Sequence, residues 1–259
     1  MQYLTRLLEF TLLSADGEVG RVTDAIFDDE SWTIRYFVVK TGSWLSGRRV
    51  VVAPEAIKAV DDEADTLVSS LDRKVIAKSP EIDLDQPISL AQAIELHTYY
   101  NWPFFWDVVS DEALGTGNLA AVPLVDSVDE MAKEAAEEME TQGGVGERNL
   151  RSFKEVVGYR IQARDGEIGQ VKDFILEERT WNIFYMVVDT GGLLSEKDVI
   201  LSPSWVERVD WDNKLIWMDL KRETVRNSPL IEDDLPIDRS FETKLYDHYH
   251  KNKYWEEMD

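Results

Sequence analysis

The clearest hydrophobic pattern along this chain has a period of two. Trp32, Ile34, Tyr36 and Val38 occupy alternate positions, and the same four residue types return as Trp181, Ile183, Tyr185 and Val187. Alternation places each set on one face of a β-strand, and the set that does not vary between the two places reads as the core face. The residues between do vary: Arg35 stands against Phe184, and Phe37 against Met186. Upstream, Asp16-Gly17 and Asp165-Gly166 precede strand-like runs, Val19 to Phe27 and Ile168 to Leu176, which predicts hairpins closed by tight type I′ turns. Downstream, Arg49 to Val52 and Asp198 to Leu201 predict strands stopped by Pro54 and Pro203, because proline cannot donate to a ladder. Leu67 to Leu71 and Leu215 to Leu220 add one more strand each. Short strands with tight turns at this density predict a mainly β fold of two tandem small β-barrels.

The two patterns are one pattern repeated at a shift of about 149 residues, and the shift holds from the Asp-Gly pairs through Thr41-Gly42, Ser79-Pro80, Leu96 and Trp106. Two copies are too few for an open solenoid, so each copy should carry its own core. The resulting organisation is a barrel over 1–80, a helical tail with an acidic linker helix over 81–149, a second barrel over 150–229 and a helical tail over 230–259. In the linker, Val128, Met131, Ala132, Ala135, Ala136 and Met139 recur at helical spacing among glutamates, after a Ser127/Glu130 capping pair and before Gly143-Gly144. A residue kept in both copies serves the fold they share. A residue found in one copy is free for a local task.

Composition narrows the function. The chain has 259 residues, 44% of them hydrophobic, with nine Trp, which is enough apolar surface for two cores. No apolar run is long enough to cross a bilayer and the N-terminus lacks signal-peptide character, so no direct membrane insertion is expected. With zero cysteines there is no disulfide framework or thiolate chemistry, and a cytoplasmic setting is expected. Fifty-one acids against 28 Lys and Arg give a net charge of −23, which repels phosphate backbones and anionic lipid. Nucleic acid is therefore excluded as the expected partner. The acids face either a basic protein or salty solvent, and a charge run is by default a solvated face.

No constellation for catalysis emerges. The three histidines, His97, His248 and His250, are not shared between the copies, and no serine sits in a strained elbow motif. His248 and His250 beside Asp247 diverge at their i,i+2 spacing on a helix and read as surface histidines. The acidic runs Asp61 to Asp65 and Glu232 to Asp234 lack the ligand spacing of a calcium loop, and the first falls where a hairpin turn is expected. No phosphate loop occurs. Neither a metal, a cofactor nor a catalytic residue is expected. What remains is aromatic and apolar. Trp44 and Leu45, with Leu193 and Leu194 at the equivalent turn, are the expected partner-binding residues. Tyr100, Trp102, Phe104, Phe105 and Trp106, with Tyr249, Tyr254 and Trp255, are too apolar for water and are expected at an interface between copies or subunits. A pseudo-twofold arrangement would bring both tails together, packed on the barrels and on each other, and the same surfaces would suit a homo-oligomer.

The succession Asp-Gly-Glu-x-Gly-x-Val-x-Asp, Trp-x-Ile-x-Tyr-x-Val-Val, Thr-Gly-x-x-Leu-Ser and a strand closed by Pro resembles the PRC-barrel. That module forms the cytoplasmic domain of the photosynthetic reaction centre H subunit and the C-terminus of a ribosome maturation factor. The resemblance spans Leu7 to Asp72 and Val156 to Lys221, and the aromatic tails resemble those of two-barrel bacterial members. It implies a non-catalytic module that binds proteins or holds an assembly together. It does not imply a reaction centre subunit, whose barrel follows a transmembrane helix. The expectation is thus a non-enzymatic, two-barrel interaction or scaffold protein. The alternatives are a metal- or ligand-binding sensor using His248, His250 and nearby carboxylates, and an acidic structural stress protein.

Overall fold

The computed structural model describes residues 1–105, 150–191, 198–230 and 237–256. The first copy runs through β1 (Gln2–Tyr3), α1 (Leu4–Leu7), β2 (Thr11–Ser14), β3 (Gly17–Asp28), β4 (Thr33–Thr41), β5 (Arg49–Val52), β6 (Ile57–Asp61), β7 (Thr66–Ser69), α2 (Arg73–Ala77) and the tail helix α3 (Leu90–Tyr100). The second repeats it with β8 (Leu150–Ser152), α4 (Phe153–Val156), β9 (Arg160–Ala163), β10 (Gly166–Leu176), β11 (Ile183–Asp189), β12 (Val199–Leu201), β13 (Val206–Asp210), β14 (Leu215–Met218), α5 (Arg222–Arg226) and α6 (Arg239–Tyr249). Each copy curls one sheet into an open barrel, in the order β5-β4-β3-β2-β7-β6 and β12-β11-β10-β9-β14-β13. The β2–β7 and β9–β14 pairings are parallel, and all the others antiparallel. Bulges in the long β3 and β10 let those strands bend around the core.

The hairpins fall where the Asp-Gly pairs predict them, but the turn is of another kind. Ser14 pairs with Gly17, so Ala15 and Asp16 make the turn without positive φ, and Gly17 (φ 132°) opens the next strand. The Asp16 carboxylate instead accepts the backbone N–H of Arg73 at 2.9 Å, and Asp165 accepts that of Arg222 at the same distance. The kept turn acids are therefore caps for α2 and α5. That backbone hydrogen bond, with one from the Ser14 hydroxyl, holds the Asp16 carboxyl below its ordinary range. Gly20 and Gly169 are kept for a different reason. A Cβ there would lie 2.1 Å from the carbonyl oxygens of Lys40 and Asp189, because the neighbouring strand passes directly over them.

The period-two strand is buried on both faces. Ile34, Tyr36 and Val38 are buried, but so are Phe37 and Val39 between them. Tyr36 reaches α3, where its hydroxyl meets His97 Nε2 at 2.9 Å, so the invariant set is the face roofed by the tail. Ile34, Tyr36 and Val38 are buried as expected of a core face, and the tail supplies a second layer that alternation within one strand cannot show. Trp32 departs further. It precedes β4, is half-buried, and belongs to the junction between the copies.

The tails fold as helices with defined ends. Ser89 and Gln92 make a reciprocal capping box at the start of α3, and Asp238 accepts the Phe241 N–H at 2.8 Å at the start of α6. Asn101 and His250 end them in the left-handed conformation, with φ of 55° and 53°. Among the described residues, no helix is long and apolar enough to cross a membrane. The acidic linker helix expected over 127–144 lies outside the described residues.

Candidate functional site at the junction of the two copies

The first strand of each copy is not paired within that copy. Gln2 and Tyr3 pair with Leu176 and Ile175 of the second barrel, while Arg151 and Ser152 pair with Phe27 and Ile26 of the first. The two registers are identical once the repeat shift is applied, so the copies are related by a pseudo-twofold axis and interlocked by strand exchange. Leu150–Ser152, counted with the second barrel by sequence, thus completes the first sheet.

The same symmetry governs the short helix after each exchanged strand. Asp24 lies inside β3, yet its carboxylate accepts the Lys154 N–H at 3.2 Å and the Ser152 hydroxyl at 2.6 Å, capping α4 of the other copy. Its equivalent Asp173 accepts the Thr5 N–H at 3.1 Å and also the Thr5 hydroxyl, capping α1. Burial pushes the Asp173 carboxyl up against those hydrogen bonds. At the axis itself Trp32 and Trp181 adopt left-handed backbone, φ 51° and 59°, unusual for so bulky a side chain. The reason is geometric. The turn aims each carbonyl across the axis, where Trp32 O accepts Ile183 N–H at 2.7 Å and Trp181 O accepts Ile34 N–H at 2.9 Å. Thr33 donates to Asn182 Oδ1 at 2.8 Å between them. Phe27, Trp32 and Phe174 pack with centroids 5.3–5.9 Å apart, and Trp181 meets Phe37 edge-on at 5.1 Å.

Strand exchange leaves a cleft on either side of the axis. One, about 510 Å³, lies between Pro54 to Val60 of the first copy and Glu178 to Trp181 of the second. The other, about 430 Å³, lies between Pro203 to Trp211 of the second and Asp29 to Trp32 of the first. These are pseudo-equivalent surfaces lined by different residues.

The buried titratable groups serve the tails. His97 is 1% exposed, bonded to Tyr36 and, through Nδ1, to the Pro103 carbonyl at 2.8 Å. Burial pushes its imidazole down to about 4, so it is neutral at ordinary pH. In the second copy Tyr185 donates to Glu242 at 2.7 Å, Tyr254 donates to the same oxygen at 2.9 Å, and Arg239 pairs with the other at 2.9 Å. Burial, with the Glu242 carboxylate beside it, drives the Tyr185 phenol far above its ordinary range. Each copy thus satisfies one kept tyrosine with a different polar partner.

The residues singled out by sequence pack mostly within their own copies. Trp44 is half-buried, its indole N–H donating to the Val19 carbonyl at 2.7 Å and its ring covered by Arg73 at 4.2 Å. Trp44 and the half-buried Leu45 both fold back onto their own barrel, so the turn is less open than its position predicts. Leu193, Leu194 and Trp106 lie outside the described residues. Tyr100, Trp102, Phe104 and Phe105 make ring contacts within the first copy, and Tyr249, Tyr254 and Trp255 within the second. They roof Tyr36 and Tyr185, each within its own copy, while backbone exchange joins the halves. His248 bonds the Thr224 carbonyl at 2.8 Å and His250 caps its helix. Among the described residues, no three His, Cys, Asp or Glu side chains gather as metal ligands. The acidic run at Asp61 is a hairpin turn, with the Asp61 carboxylate accepting the N–H groups of Glu63 and Ala64.

Sequence reasoning missed Asp24 and Asp173, although both stand in the repeated motif, because a mid-strand acid does not advertise a helix on another copy. The kept tyrosines carried a usable signal. A hydroxyl in an otherwise apolar buried set requires a polar partner, and His97 and Glu242 are the groups the two tails supply.

An open, bulged barrel with a parallel closing pair, interlocked with its own duplicate, defines a small β-barrel module. Residues 1–75, which hold the first barrel, match the PRC-barrel domain family. The second copy repeats its strand order and registers. Comparison with curated proteins gives no match.

Proposed function

We propose that this chain is a non-enzymatic protein-interaction or assembly module in which two PRC-barrels are fixed in one orientation. The observation that carries this reading is the strand exchange: it interlocks the barrels and presents two related but differently lined clefts on one framework. The family match of the first barrel supports it, since such barrels are interaction modules as a class. The buried acids, histidine and tyrosines support it too. His97, Glu242, Asp24 and Asp173 are each engaged in hydrogen bonds that hold tails or exchanged strands, which suits a rigid adaptor. The partner is a protein, and the setting proposed is the cytoplasm.

The test is affinity capture by the tagged full chain from its native cell, competed with excess untagged chain. A protein captured in stoichiometric amount and displaced by competitor is the expected result. Recovery of a metal or small molecule with no displaceable protein would defeat the proposal in favour of a sensor.

A further inference from the structure

The two copies make the same fold, so positions where they differ on an open surface show what one has acquired beyond it. Along the cleft beside Trp32 the second copy has Arg208 and Trp211, where the first has Ala59 and Asp62 at the equivalent positions. Arg208 and Trp217 face each other across β13 and β14, with the guanidinium 4.5 Å over the indole. Trp32, Trp211 and Trp217 are all half-buried. The cleft itself thus carries Trp32, Trp211 and Arg208, residue types that dominate binding energy at protein contacts, while Trp217 lies on the other face of the β13–β14 pair from Val206 and Val209.

The chemistry of the occupant is set by three features. First, β13 is the edge of its sheet, yet its register breaks between Val206 and Arg208, leaving Glu207 in a bulge. A bulged, charged edge resists an added β-strand, so ladder pairing is disfavoured. Second, the cleft walls are Trp32, Pro203, Val206, Val209 and Trp211. A groove lined by aromatic rings suits a polyproline II segment, which is already extended and needs no ladder from its receptor. Third, Asp29 and Glu30 line the cleft, and Glu207, Asp210 and Asp212 adjoin its lining residues along a chain of net charge −23. Asn213 bonds hold the Asp210 carboxyl below its ordinary range, so it stays charged. Such a field draws a basic segment.

We propose that this cleft, with Trp32 and Trp211 as its aromatic walls, binds a proline-rich segment of a partner protein that carries Lys or Arg. The proposal rests on the interaction-module reading and names the site and the partner's chemistry.

The experiment is calorimetric titration of the full chain with three synthetic peptides. One is a ten-residue sequence rich in proline with two arginines, the second has its prolines changed to alanine, and the third has its prolines changed to valine. Binding of the first, weakened at least about tenfold in the second and third, is expected, as one aromatic anchor contributes on that order. Trp211→Asp should weaken it at least about tenfold, whereas Trp217→Val, outside the cleft, should leave it unchanged. Equal binding of the alanine peptide, tighter binding of the valine peptide, unchanged affinity in Trp211→Asp, or no heat at millimolar peptide would each overturn the proposal. The general reading is separable: a captured partner retained by Trp211→Asp chain would keep the interaction module and discard this site.

Discussion

His97 offers the sharpest quantitative test of the structure. Its imidazole is enclosed by Trp102, Phe104 and Phe105, and burial pushes its pKa from about 6.5 down to about 4. Because the folded value is depressed for a base, the unfolded chain takes up a proton that the folded chain refuses. Stability from this residue is therefore fully present above about pH 6.5 and is lost as pH falls from there towards about 4. At pH 4.5 the loss is on the order of 2.5 kcal/mol, about three quarters of the roughly 3.4 kcal/mol that a gap of about two and a half units gives in full at 1.36 kcal/mol each. Carboxylates titrate in the same range, so the measurement must be differential. Urea unfolding of the parent and of His97→Gln, from pH 7.5 to pH 4.5, cancels what the two share. The gap between the two stabilities should shift towards the variant by roughly 2 to 3 kcal/mol on acidification. Parallel pH profiles would refute the reasoning, as would an NMR titration placing the imidazole near its ordinary pKa.

Three further outcomes are expected at the junction and the tails. Trp181→Ala should cost about 3 to 5 kcal/mol by chemical denaturation and the half-buried Trp32→Ala about half as much; equal costs would place Trp32 in a barrel core after all. Gly20→Ala and Gly169→Ala should each destabilise by several kcal/mol, ~3 or more, because a Cβ would meet strand backbone and not a yielding side chain; a melting temperature unchanged in either variant would mean that the strands do not cross so closely. Glu242→Ala should lower stability by about 3 kcal/mol by leaving two phenols and Arg239 without their acceptor, whereas Ala93→Glu in the first copy, where Tyr36 already has His97, should not restore it; a neutral Glu242→Ala would show the network to be dispensable.

What the sequence determined by itself was everything repeated and local. The period-two strand, the Asp-Gly hairpins, the proline stops and the constant shift specify two like barrels, because strand faces and turns are dictated by residues a few positions apart. The acidic run at Asp61 was legible as a turn for the same reason. Tertiary structure decided what joins the copies. Gln2–Tyr3 and Leu150–Ser152 each pair with the other copy's barrel, and the turns at Trp32 and Trp181, the caps at Asp24 and Asp173 and the rings packed across the axis hold that arrangement. The aromatic tails are too apolar for water, but composition says how much apolar surface must be covered and not by what. Tyr36 and Tyr185 settle that, because a buried hydroxyl requires a polar partner and the tail of the same copy holds it within reach.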